Sequence, residues 1–192
     1  MQVEYGASIS PAQRGRIGSD IRSFAARLQR ATGHPVSVTQ SGGNFLVLLL
    51  SEDERRASGP RLSALVPGIP ASDVAALTDL APQNYCTVFA YSRGNGSSYV
   101  RAVALIRSEL PNRLMLSCIH EELAQGMGPA NDSPTVRPSI FNDDEEFALL
   151  TYHDELLLRI LYDPRLHPGM HEAEARPIVL QIARELLAGQ SV

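Results

Sequence analysis

The segment FLVLLL at 45–50 constrains the fold most, because it places six apolar residues in a row with no polar interruption. It is far shorter than the roughly 20 residues that a membrane-crossing helix needs, so the run reads as a strand. With no polar side chain on either face, that strand is expected to be buried on both. A chain of 192 residues, 44% hydrophobic and 20% charged, can build the core around it and is expected to form one domain over 1–192. The net charge of -4 gives nucleic acid or an anionic membrane little to attract. All 17 basic residues are Arg, which removes lysine-based covalent chemistry.

Around this run, the apolar residues Ile17, Ile21, Phe24, Ala25 and Leu28 share one helical face over 11–32, and Gly33 supplies a stop. VSVT at 36–39 is expected to pair with 44–50 as a hairpin across QSGG. Ser51 is a candidate N-cap for SEDERR, and SDVAALTDL at 72–80 reads as a short helix. CTVFAYSR at 86–93 and SYVRAVALIR at 98–107 flank a Gly-Asn-Gly turn and form the clearest hairpin. Three helices follow, over 111–127, 147–163 and the EARPIVLQIARELLAG segment. The expected architecture is α+β, with a small twisted mixed sheet in the N-terminal part (1–110) and a helical C-terminal part (111–192).

The chemistry concentrates in SCIHEELAQGMGPAND at 117–132. Two histidines four residues apart on a helix can hold one zinc, and the Glu between them activates its water. Read from His120, that pattern fails, because Ala124 stands where the second histidine belongs. Shifted by one residue, Glu121, Glu122, Gln125, Gly128, Asn131 and Asp132 fall at the spacing of HExxHxxGxxHD, the extended metzincin signature. Glu122 then takes the general-base position and Gly128 the turn glycine. Glu121, Gln125 and Asn131 stand where three histidine ligands would be, with His120 a neighbour of the motif. Met170, in LYDPRLHPGM, resembles the methionine of the turn beneath a metzincin metal. The resemblance implies a zincin-like, metzincin-like domain with an active-site-type helix.

The runs CIHEELAQ, GPAND, PSIFNDD, HDELLLRILYDPRL and PGM, within about 86–170, resemble a bacterial domain-of-unknown-function family, number 2927. Many of its members are exported or lipoproteins, so the resemblance implies a periplasmic or envelope setting. The N-terminus lacks the basic and apolar blocks of a signal peptide, so the chain reads either as cytosolic or as a mature form without its leader. Composition leaves a bond between Cys86 and Cys118 open; the envelope setting favours a disulfide.

Gln and Asn are poor zinc ligands and acceptable ones for a hard cation. Glu121, Gln125 and Asn131 carry one negative charge, or two with Asp132, and Asp143, Asp144 and Glu145 add charge only if their loop folds back. The favoured expectation is therefore no cofactor, with a satisfied polar network at the turn; zinc or calcium is the alternative. Weaker candidates are His153 and Asp154 on a helix, His167 and His171 around a turn, Ser117 and Ser139 without a nucleophile motif, and DDEE at 143–146 as an acidic helix cap. The expected function is a non-catalytic, pseudoprotease-like module that binds a peptide or protein, with 98–107 as the exposed strand that pairs with it. The alternative is a metallopeptidase-like hydrolase in which Glu122 is the base.

Overall fold

The computed structural model describes residues 1–142 and 146–189. It contains a four-stranded mixed sheet, β1 (Gln2–Tyr5), β2 (Phe45–Leu50), β3 (Cys86–Ser92) and β4 (Tyr99–Arg107), in the order β1-β2-β4-β3. β1 and β4 run parallel to β2 on its two sides, whereas β3 runs antiparallel to β4 at the edge. The helices are α1 (Pro11–Thr32), α2 (Glu52–Arg56), α3 (Gly59–Leu65), α4 (Ala71–Thr78), α5 (Asn112–Gln125), α6 (Tyr152–Leu161) and α7 (Glu172–Ala188). The chain is one mixed α/β domain.

β2 is buried along its whole length, as its apolar run requires. Phe45, Val47 and Leu49 join the core under α1 and α5, and Leu46, Leu48 and Leu50 join a second core with Leu62 of α3 and Leu77 of α4. The alternation of side chains along a strand thus feeds two helical layers from one six-residue segment. α1 begins at Ser10, whose side chain and Gln13 form a capping box, and ends where Gly33 takes a left-handed conformation at φ 69. Its Ile17, Ile21, Phe24, Ala25 and Leu28 are all buried, as their spacing predicts. Ser51 caps α2 in the same manner.

Three expectations need correction. VSVT is not a strand: Thr39 makes one isolated bridge to Gln2, and the partner of β2 on that side is β1, whose QVEY is too short to carry a periodic signal. Phe147 to Thr151 are not helical; α6 starts after Thr151, whose side chain caps it with Asp154. Glu146 of the acidic run pairs with Arg137, and Asp143, Asp144 and Glu145, the rest of the expected helix cap, lie outside the described residues. The strand at 98–107 is not the exposed edge. β4 is covered on both sides by β2 and β3, so β3 is the free edge of the sheet beyond β4.

Leu48 is 1% exposed and faces the α3–α4 layer, away from α5. Leu48→Ala is expected to cost about 2–5 kcal/mol in denaturant unfolding. A loss below about 1 kcal/mol would show that this second core contributes little.

Candidate functional site

α5 starts after Pro111 and lays Met115, Cys118, Ile119, Glu122 and Leu123 against the sheet. A carboxylate at Glu122 therefore sits on an otherwise apolar face, as the spacing predicts. Two features bring the helix close to the edge strand. Cys86 at the start of β3 and Cys118 in α5 form a disulfide with Cα atoms 5.9 Å apart. At the end of the helix, a side chain on Gly126 would lie 2.4 Å from Cζ of Phe45 and 3.1 Å from Cγ2 of Val88, so only glycine permits this approach.

The turn after α5 also depends on glycine. Gly128 has φ 142, and a Cβ there would meet Cδ2 of Leu161 at 2.6 Å. Tyr162 donates its hydroxyl to the carbonyl of Met127 at 2.7 Å. The end of α6 thus braces the turn. Met170 sits elsewhere: it closes a turn from His167 whose Gly169 lies against Ser97 in the β3–β4 loop. His167 and His171 are exposed.

His120 points away from the edge strand. Its ring stacks on Phe24 of α1 at 4.0 Å, and Nδ1 accepts the Leu150 N–H at 3.1 Å. Burial, assisted by the charge of Arg27, pushes its pKa down to about 4, so it is neutral and carries its proton on Nε2. It is a structural pin for the segment before α6. Asp154, a weak candidate by sequence, has a fully buried carboxylate that accepts bonds from Ser139 Oγ, the Ile140 N–H and the Thr151 N–H and hydroxyl. His153 Nδ1 lies 3.2 Å from the carbonyl of Pro138 in the same knot. The signal that could have found Asp154 is its place three residues after Thr151, the spacing of a capping box.

Between these braces two grooves meet at Glu121 and Glu122. One, of about 420 Å³, has Cys86, Val88 and Ala90 of β3 on one side, Gln125 of α5 below, and Ala130 and Asp132 opposite. The other, of about 400 Å³, runs along the first half of α5 past Ser117 to Leu114, with Ile140 and Phe147 as its far wall. Gln125 is 8% exposed and donates Nε2 to Asp132 Oδ1 at 2.7 Å. Asn131 is exposed and lines neither groove.

Glu122 is 4% exposed, and its Oε2 has no hydrogen-bond partner among the described residues. Burial, with Glu121 and Asp132 adding repulsion, raises its pKa well above the usual carboxylate range. Zinc does not fit these residues. Cys86 Sγ and oxygens of Glu121 and Glu122 lie within 4.8 Å of one another, but a disulfide sulfur is no thiolate ligand. Of the three ligand positions read from sequence, only Glu121 and Gln125 reach the groove. A metal-activated water at Glu122 is therefore not supported by the donor set.

The family model described as "Protein of unknown function (DUF2927)" matches residues 1–181. The chain belongs to this family. The match reaches well beyond 86–170, so β1, α1 and the FLVLLL strand are as much part of the family domain as the motif helix. No curated protein and no solved structure matches the chain.

Two outcomes follow for the DUF2927 domain. Replacing both cysteines by Ser releases a link of sequence separation 32 and is expected to cost about 3–4 kcal/mol, read from chemical unfolding with and without reductant. Glu122 has a raised folded pKa, so it favours the folded state at pH below ~4.5, and that contribution is lost as pH rises toward the folded value. Glu122→Gln removes this slope. In chelating buffer its unfolding midpoint should match wild type near pH ~4 and exceed it at pH ~8; a constant difference across that range would contradict the burial of the carboxyl.

Proposed function

We propose that this domain is a non-catalytic binding module with a zincin-like fold, which takes an extended segment of peptide or protein into the groove between β3 and α5. The observation that carries this is the position of β3. It is an antiparallel edge strand whose residues 86–90 line a groove floored by the motif helix. An edge strand offers unpaired N–H and C=O groups, and an added strand satisfies them while its alternate side chains enter the groove. The order β1-α1-β2, an antiparallel edge, and a helix ending in a Gly128 turn support the zincin likeness together with the signature spacing.

The chemistry of Glu122 favours binding over hydrolysis. A carboxyl that is 4% exposed is poorly placed to reach water and substrate as a base, and the ligand positions do not assemble around it. In their place Gln125 and Asp132 bond each other. The Cys86–Cys118 disulfide is consistent with an oxidising envelope or periplasmic setting, as for exported members and lipoproteins. Among the described residues no helix is long and apolar enough to cross a membrane.

The test is a selection of linear peptides from a displayed random library on the disulfide-bonded domain. The expected result is enriched sequences that bind intact, that slow amide exchange over 86–92, and that lose affinity at least about tenfold on Ala90→Trp, which fills the groove. Failure to enrich any sequence, indifference to Ala90→Trp, or cleavage of the bound peptide would each overturn this function.

A further inference from the structure

The hydrogen bonds around β4 decide which residues of β3 turn their backbone outward. Arg107 donates its N–H to the carbonyl of Tyr85 at 3.1 Å, one step beyond the pair of Cys86 and Ile106. On the other side of β4, Ala102 donates to the carbonyl of Asn44 at 3.0 Å and Ser108 to that of Leu50 at 2.9 Å. Even-numbered residues of β4 therefore turn their backbone to β2 and odd-numbered ones to β3. The partners of the odd set are Thr87, Phe89 and Tyr91. Cys86, Val88 and Ala90 are left with N–H and C=O groups directed at the outer edge. The same three residues point their side chains to the α5 face, whereas Phe89 and Tyr91 pack on the α3–α4 core.

A strand added at this edge, in either direction, bonds to 86, 88 and 90 and places the side chain opposite each of them on the α5 face. Opposite Cys86, that side chain meets the mouth of the second groove, which shares Cys86, Glu121 and Glu122 with the first. The space there is about 400 Å³, and Leu114, Ile140, Phe147 and the disulfide give it apolar walls, with Tyr85 as a second aromatic lining residue. Aromatic rings bury large area and pair with other rings at their edges and faces. We propose that the segment bound along β3 carries an aromatic side chain opposite Cys86, and that the second groove is the pocket for it. The pocket takes this role only with an extended segment docked on β3, the reading on which it rests. Main-chain bonds hold any extended chain, and a filled pocket selects among chains.

The first test uses no peptide chain. N-acetyl-phenylalaninamide and N-acetyl-alaninamide are titrated separately into the disulfide-bonded domain and followed by amide NMR. The phenylalanine compound should shift Ser117, Ile140 and Phe147 saturably, with a dissociation constant on the order of 1–10 mM, while the alanine compound leaves them unmoved. In the domain alone, the amides of Val88 and Ala90 should exchange faster than those of Thr87 and Phe89. Peptides selected on the domain should share an aromatic residue. Its exchange for Ala should weaken binding at least about tenfold on wild type and add no further loss on Ser117→Trp, which fills the pocket. Should Ser117→Trp fail to fold by circular dichroism, Ala148→Trp, at another lining position, takes its place. No saturable shift up to about 20 mM, bound peptides without an aromatic residue, additive losses on Ser117→Trp, or the reverse order of amide exchange would each overturn the pocket. Fragment binding without any enriched peptide would support the pocket and overturn docking at β3, so the two failures are told apart.

Discussion

The bond between Cys86 and Cys118 is the constraint on which the groove depends. Sheets do not by themselves fix an edge strand against a helix on one face; among the described residues β3 pairs with β4 and no strand pairs with its outer side. The disulfide fastens the start of β3 to the middle of α5, and the close approach of Gly126 to Val88 and Phe45 fastens the other end. Between these two points the strand and helix diverge only enough to leave room for Glu121, Glu122 and Gln125. The groove is thus a consequence of one covalent link and one missing side chain.

The opposite wall is held by polar chemistry. Residues 138–142 have no regular structure, and their backbone groups need partners from outside. Asp154 supplies them at the first turn of α6, and Asn142 donates to the carbonyls of Pro134 and Val136. His120 adds the Leu150 N–H from the far side of the motif helix. A neutral imidazole suits that place, because a charged one would be costly between Phe24 and the core. Two residues that look like chemistry in the sequence, His120 and Asp154, are therefore the ones that build the walls.

Glu122 is a buried carboxyl whose Oε2 has no hydrogen-bond partner among the described residues. An apolar helix face disfavours the ionised form of a carboxyl there, and burial raises its pKa well above the usual carboxylate range. Its enclosure sets it back from the water that a general base must reach.

Much of the scaffold was legible in the sequence because its signals are local. The FLVLLL run, the α1 stripe, the Gly-Asn-Gly hairpin and the caps at Ser10 and Ser51 each rest on side-chain period or on backbone groups a few residues apart. The spacing of Glu122 on an apolar face was likewise readable, and burial followed. Strand order was not: pairing β1 rather than 36–39 with β2, and leaving β3 instead of β4 at the edge, are decided by crossover connections that no local pattern records. Nor could spacing place Asn131 and Met170, since beyond Gly128 the chain has left the helix and its direction is set by Leu161 and Tyr162, over 30 residues away. Sequence determined which residues could carry the chemistry; only tertiary packing decided that Asp132 bonds Gln125, that Asn131 faces solvent, and that Oε2 of Glu122 is enclosed with no hydrogen-bond partner among the described residues. The physical reason is that helical period fixes a side chain's direction only as far as the helix runs, whereas burial and charge balance depend on everything that packs around it.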